Sequence, residues 1–284
     1  MSAIFLPVIA ALLQASSFTL DKAVLNLKRV NWRRYLTVSF PLMGVLMAAA
    51  FFIRRPPVTL SLLTPTLLAL LAGLILEIVI TNILFYRALQ HDNLTELRLW
   101  GLALKIPMIL GIAYLFTDER NWATILLALV ASVAVVWSHL DHARLRIHRH
   151  TAPYILWSLI TYPLAIAGAK IALRSLDPIA LETFRFIPVA LIMFLLFHNS
   201  MKRPIGSVSW TFLLATNVLT TASGILLLYG YHSLGVIYTG LLFTLEPMLV
   251  YVFALVILGE RFERKKFIGF VVVLLSIGAA QLLR

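Results

Sequence analysis

Seven ionisable side chains fall inside stretches that are otherwise apolar: Lys22, Lys105, Lys170, Arg185, Glu77, Glu182 and Glu246. A charge at the centre of a bilayer costs about 2.5–3.5 kcal/mol even on a lenient insertion scale, so such residues turn toward a bundle interior and usually mark a solute or ion pathway. Glu77, Lys105 and Glu246 lie deepest by position. Lys22 and Lys170 are nearer the ends of their stretches, within snorkelling reach of water. Glu77 or Glu246 could carry a coupling proton, since burial raises a carboxyl pKa while a nearby lysine lowers it. The competing reading is a structural ion pair of Lys105 with Glu246 or Glu77 that locks the chain together. Glu182 and Arg185 are three residues apart and suited to pair on one helix. Four bases against three acids at membrane depth favour a carboxylate-bearing or zwitterionic solute.

Proline sits beside two of these charges. In FTLEPMLVYVFALVILGER (243–261), Pro247 follows Glu246. Proline lacks an N–H and crowds the carbonyl four residues earlier, here Phe243. A bend is expected there, exposing polar backbone where Glu246 also points. In LALKIPMILGIAYLFTDER (102–120), Pro107 stands two residues after Lys105.

The elements that position these groups must be membrane helices. Of 284 residues, 61% are hydrophobic and only 13% charged, with mean hydropathy +0.94; a soluble domain is nearer half apolar and a quarter charged. Apolar blocks of bilayer-spanning length fill almost the whole sequence. Ten spans are expected, near 3–25, 35–53, 59–86, 94–116, 122–140, 152–173, 178–198, 207–230, 236–258 and 266–283. The first lacks a basic lead-in and a small-residue cleavage pattern and reads as a permanent span. The absence of cysteine excludes disulfides, thiolate metal sites and a cysteine nucleophile. The net charge of +12 reads as loop charge, with no nucleic-acid partner implied.

The landmarks repeat. Pro107 aligns with Pro247 and Glu119 with Glu260, at offsets of 140 and 141. Lys22 aligns with Lys170 at 148 and Pro41 with Pro188 at 147. The basic stretch 141–150 divides the chain into five-span units, 1–140 and 151–284. Two tandem copies of an odd-numbered unit cross the membrane in opposite senses, giving an inverted repeat of the kind found in secondary transporters. The expected fold is therefore all-α and integral to the membrane, with ten transmembrane helices as two inverted five-helix repeats. Fifteen of the 24 lysines and arginines fall in loops on one side and five on the other, leaving Lys22, Lys105, Lys170 and Arg185 inside spans. The positive-inside rule puts the richer side in the cytoplasm and both termini outside.

Other chemistry is sparsely represented. His139, His142, His148 and His150 surround the central loop, but only Asp141 accompanies them, and they read as a solvated basic segment with no metal expected. Nothing resembles a zinc-protease helix, a phosphate-binding loop or a nucleophile elbow. Tyr86, Tyr229, Tyr231, Tyr238 and Trp157 are candidate cavity-lining groups or interfacial anchors.

The stretch LEPMLVYVFALVILGERFERKKFIGFVVVLLSIGAAQL (245–282) resembles the end of an EamA-type repeat of the drug/metabolite transporter superfamily: Glu-Pro, an apolar run, Gly-Glu-Arg, then a glycine early in the last helix, here Gly269. LDPIALETFRFIPVALIMFLL (176–196) resembles the second helix of that repeat, with Arg185 at the usual arginine. The first half departs, with Ile-Pro at 106–107, Asp-Glu-Arg at 118–120 and Val38 near the expected arginine. The resemblance implies ten helices, a central cavity, and export or exchange of small metabolites without a cofactor. It also implies cytoplasmic termini, against the charge count. The expected activity is alternating-access transport of a small polar or zwitterionic solute, with protons or a counter-substrate as candidate coupling partners. The expected location is a bacterial or archaeal inner (plasma) membrane. A membrane-embedded enzyme, or a non-transporting scaffold or subunit, is the alternative class.

Overall fold

The computed structural model describes residues 3–27, 30–59, 62, 64–92, 97, 104–139, 149–201, 207–257 and 263–283. The connecting segment 141–148 and the Gly-Glu-Arg of 259–261 lie outside the described residues, as do His142, His148 and the side chain of His139. Every described element is helical: α1 (Phe5–Leu25), α2 (Trp32–Arg54), α3 (Pro65–His91), α4 (Lys105–Leu115), α5 (Trp122–His139), α6 (Thr151–Ala172), α7 (Pro178–Phe197), α8 (Ser207–Leu234), α9 (Val236–Leu242), α10 (Leu245–Ile257) and α11 (Arg264–Leu282). Among the described residues, eight spans are long and apolar enough to cross a bilayer, with α9 and α10 together forming one, and α4 and α5 are shorter apolar helices. The chain is an integral, multi-pass membrane protein.

Local chemistry explains where the helices start. Asn31, Thr64, Asn121 and Asp177 each accept a backbone N–H of the following turn, from Arg34, Leu67, Thr124 and Ile179, as N-caps do. Pro65 and Pro178 open α3 and α7, where a missing N–H is harmless. The cap at Thr64 moves the third span to 65–91 from its expected 59–86. Of the fourth expected span, only Leu97 and residues 104–116 are described.

Between helices in lipid there is little hydrophobic drive, so association relies on close packing and hydrogen bonds. In α1, Ala10, Ala11 and Ala15 are fully buried and let α8 approach. Ser17 then bonds Thr216 at 2.7 Å, and Ser223 donates to the Ala10 carbonyl at 2.8 Å. Helix α2 packs on α7, α3 on α6, and α5 on α11. Two of these pairs cross almost backbone to backbone. A Cβ on Gly44 would lie 2.9 Å from Ala190 Cβ, and one on Gly269 would lie 2.5 Å from Ser138 Cβ. Gly269→Val is therefore expected to force α5 and α11 apart, at a cost of about 2–3 kcal/mol, read as a lowered unfolding temperature in detergent.

Candidate functional site

The ninth span is interrupted. Helix α9 ends at Leu242, Phe243 and Thr244 form a turn, and α10 begins at Leu245. Pro247 is the third residue of α10, so it lacks the N–H that would have bonded the Phe243 carbonyl. That carbonyl instead accepts the Glu246 N–H at 3.2 Å and the Lys105 ammonium at 3.1 Å. The ammonium also lies 5.1 Å from the centre of the Phe243 ring, a cation–π distance. Lys105 is the first residue of α4, with Pro107 third, so the two Pro-Met sequences open matching helix segments. Lys105 and Glu246 are 5% and 4% exposed. In Lys105 and the broken span, a cation from one half meets an opened backbone from the other inside the bundle.

Glu77 occupies the middle of α3. Its Oε1 accepts the Thr81 hydroxyl at 2.7 Å, and Thr81 in turn accepts the Trp157 indole N–H at 2.9 Å. Arg185 and Glu182 form an ion pair on α7 at 3.7 Å. Arg185 also acts electrostatically on Glu77. Tyr162, at the midpoint of α6, lies within electrostatic reach of Glu77, Glu246 and Tyr231. Tyr231 is within reach of Arg185 and Glu182. The two tyrosines, on α6 and α8, thus lie within electrostatic reach of the charged groups of α3, α7 and α10.

Lys22 and Lys170 sit elsewhere. Lys22 donates to the Leu89 and Asp92 carbonyls at 2.7 and 2.9 Å, closing the C-terminal end of α3, where carbonyls lack helical partners. Lys170 binds Glu119 at 2.5 Å and Asp118 at 2.6 Å. Glu119 also accepts the N–H groups of Val236 and Ile237, at 2.8 and 3.2 Å, at the N-terminus of α9. Gly235 makes this possible. Its φ is +84°, and a Cβ there would lie 2.8 Å from the Glu119 carboxylate. Arg120 completes the Asp-Glu-Arg by donating to the Ala113 and Tyr114 carbonyls at the end of α4. The hydrogen bond from Lys170 holds the Asp118 carboxyl below its ordinary value of 3.8. A depressed folded pKa contributes stability above the unfolded value that is lost as pH falls through the folded one. Unfolding temperature is thus expected to be insensitive to this pair from pH 7 to 5 and to fall below about pH 4. Asp118→Asn should reduce that dependence, modestly because Asp118 is exposed.

Two groups escaped the sequence reading. Asp21 is fully buried in α1 and accepts hydroxyls from Tyr35 and Thr216 at 2.5 Å and from Tyr86 at 3.1 Å. Its signal was a carboxylate beside Lys22 in an apolar helix. Counting it brings the acids at membrane depth to four and removes the surplus of bases from which a carboxylate-bearing solute was argued. The other is Tyr162, whose signal was a hydroxyl at mid-span. Of the aromatic candidates, Tyr86 belongs to the Asp21 cluster, Tyr229 and Tyr238 bond Asp177 and Gln281, and Tyr231 and Trp157 face the polar interior or its margin. His150 stacks on His91 with ring centres 4.5 Å apart.

A bundle of apolar spans with charges folded inward and one broken helix defines a polytopic membrane protein. Comparison sharpens the class: residues 151–280 match the EamA-like transporter family. The resemblance to EamA-type members of the drug/metabolite transporter superfamily therefore holds, anchored on the second half. A solved crystal structure of a protein 18% identical to the chain aligns over 100% of it and 98% of its own length, with a TM-score of 0.76. At that identity the likeness is one of fold. Comparison with curated proteins gives no match.

Proposed function

We propose that the protein is a secondary transporter, an exporter or exchanger, that carries a small polar or zwitterionic metabolite by alternating access around a midplane cavity. Lys105, Glu246, Glu77 and Arg185 contact the solute or its coupling ion. Pro107 and Pro247 keep the matching helix segments open, and Tyr162 and Tyr231 supply hydroxyls. Lys22 and Lys170 act at the helix ends, away from the solute. The charges placed on the solute path balance, Lys105 and Arg185 against Glu77 and Glu246, and suit a zwitterion better than a simple anion.

The observation that carries this reading is the broken span. Polar backbone at membrane depth is tolerated only where protein or a cavity satisfies it, and discontinuous helices are where transporters hold their solutes. The helix pairing supports two inverted five-helix repeats, 1–140 and 151–284, joined by 141–150. Exchanging the halves turns the α1–α8 contact into the α6–α3 contact and maps α2–α7 and α5–α11 onto themselves. The loop charges favour termini outside an inner (plasma) membrane, and protons or a counter-substrate would drive the cycle.

The test uses purified protein in liposomes. Amino acids, organic acids, nucleotide sugars and lipophilic cations are screened for thermal stabilisation, and each hit is assayed for uptake with and without a proton gradient. A hit whose uptake falls at least tenfold in folded Glu246→Gln is the expected result. If no solute moves, and the variants lose only stability, the interior charges are structural.

A further inference from the structure

A cavity of about 330 Å³ lies between α3 and α6, and it is not enclosed by the bundle. Its floor is Glu77, Trp157 and Thr161, and its rim includes Gly73, Leu76 and Leu164. Leu76 and Leu164 are 58% and 62% exposed, and a Cβ added to Gly73 would meet nothing within 4 Å. Glu77 is the thirteenth of the 27 residues of α3, so the opening lies at hydrocarbon depth and faces lipid.

We propose that this cavity is a lateral portal that admits an amphiphilic amine from the bilayer and binds its ammonium on Glu77. The chemistry of the floor selects that class. Thr81 occupies Oε1 of Glu77 and simultaneously fixes the Trp157 ring through the indole N–H. The second carboxylate oxygen and the ring face are then left for one ligand. A carboxylate beside an indole is a cation site, and the apolar rim takes the hydrocarbon body. Arg185 acts on Glu77 at longer range but makes its ion pair with Glu182. The volume is at the small end of ligand pockets, suited to one aryl or short alkyl group.

Glu77 also belongs to the transport reading, so the test reads binding apart from uptake. Purified protein in neutral-lipid nanodiscs is titrated with 4-phenylbutylamine and with its neutral counterpart 4-phenylbutan-1-ol, binding being read by calorimetry and thermal shift. The amine is expected to bind at least tenfold more tightly. Glu77→Gln should abolish the difference, and Gly73→Leu, which fills the mouth without touching the floor, should weaken amine binding at least tenfold. Equal binding of amine and alcohol would make the cavity an apolar slot for any chain and overturn the proposal. Amine binding that survives Gly73→Leu would place entry elsewhere and overturn it equally. If Glu77→Gln does not fold, the amine–alcohol comparison and Gly73→Leu decide alone. Amine binding in the absence of any solute uptake sustains the portal while the transport reading fails. Solute uptake with no preference for amine over alcohol does the reverse.

Discussion

Lys105→Ala is expected to lower stability by about 3 kcal/mol and to abolish uptake of any solute the protein carries. The stability loss follows from the Phe243 carbonyl. Pro247 supplies no N–H for it, and Lys105 provides a charged donor at 3.1 Å. Losing a charged partner in a buried site leaves a desolvated group behind, at about 1–3 kcal/mol or more. The uptake loss has a separate cause, since the same ammonium is the cation nearest the helix break. Lys105→Arg keeps the charge and should recover much of the stability while leaving uptake impaired, because a planar guanidinium does not replace a compact ammonium geometrically. Unfolding temperature in detergent and initial uptake rate in vesicles check the two effects independently. Full uptake by Lys105→Ala would remove this residue from the pathway.

Glu119→Ala should destabilise as strongly, by about 3–4 kcal/mol, with a far smaller effect on uptake. One carboxylate there satisfies two N–H groups of α9 and the Lys170 ammonium, so its removal strands two backbone donors and leaves Lys170 to Asp118 alone. Glu119→Gln retains an acceptor without the charge and should fall about midway. Gly235→Ala is expected to cost about 1–3 kcal/mol for its positive-φ, extended backbone alone, plus the clash with Glu119. In the double variant Glu119→Ala/Gly235→Ala that clash is gone, so the two losses should sum to less than their separate values. Thermal unfolding of the four proteins measures this coupling. Strict additivity would mean that Glu119 and Gly235 do not meet as described.

Much of this architecture is legible in the residues because membrane constraints are coarse. Long apolar runs, proline positions and Thr, Asn and Asp caps fix the spans, and the missing N–H of Pro247 points directly to the Phe243 carbonyl. What the sequence does not specify is the partner across the bundle. Nothing local says that Lys105 bonds Phe243, that Glu119 reaches α9 on the other half of the chain, or that Lys22 turns to the end of α3. Each is a contact between residues more than sixty positions apart, set by helix packing. Asp21 illustrates the other failure. Adjacent to a lysine near a helix end, it resembles a surface charge, and only the approach of Tyr35, Tyr86 and Thr216 reveals a buried acceptor.

The crossings at Gly44 and Gly269 have a mechanical corollary. Each presses a helix of the first five spans against one of the last five, with only the small side chain of Ala190 or Ser138 facing the glycine. Such contacts have little slack for sliding, but they can swivel. If the two halves move against each other, these points behave as the two bearings of an axle, and the remaining helices swing about the line that joins them. The arrangement limits the stroke at the bearings and concentrates displacement far from them. It also implies that bulk added at Gly44 or Gly269 would jam the motion even in a variant whose fold survives.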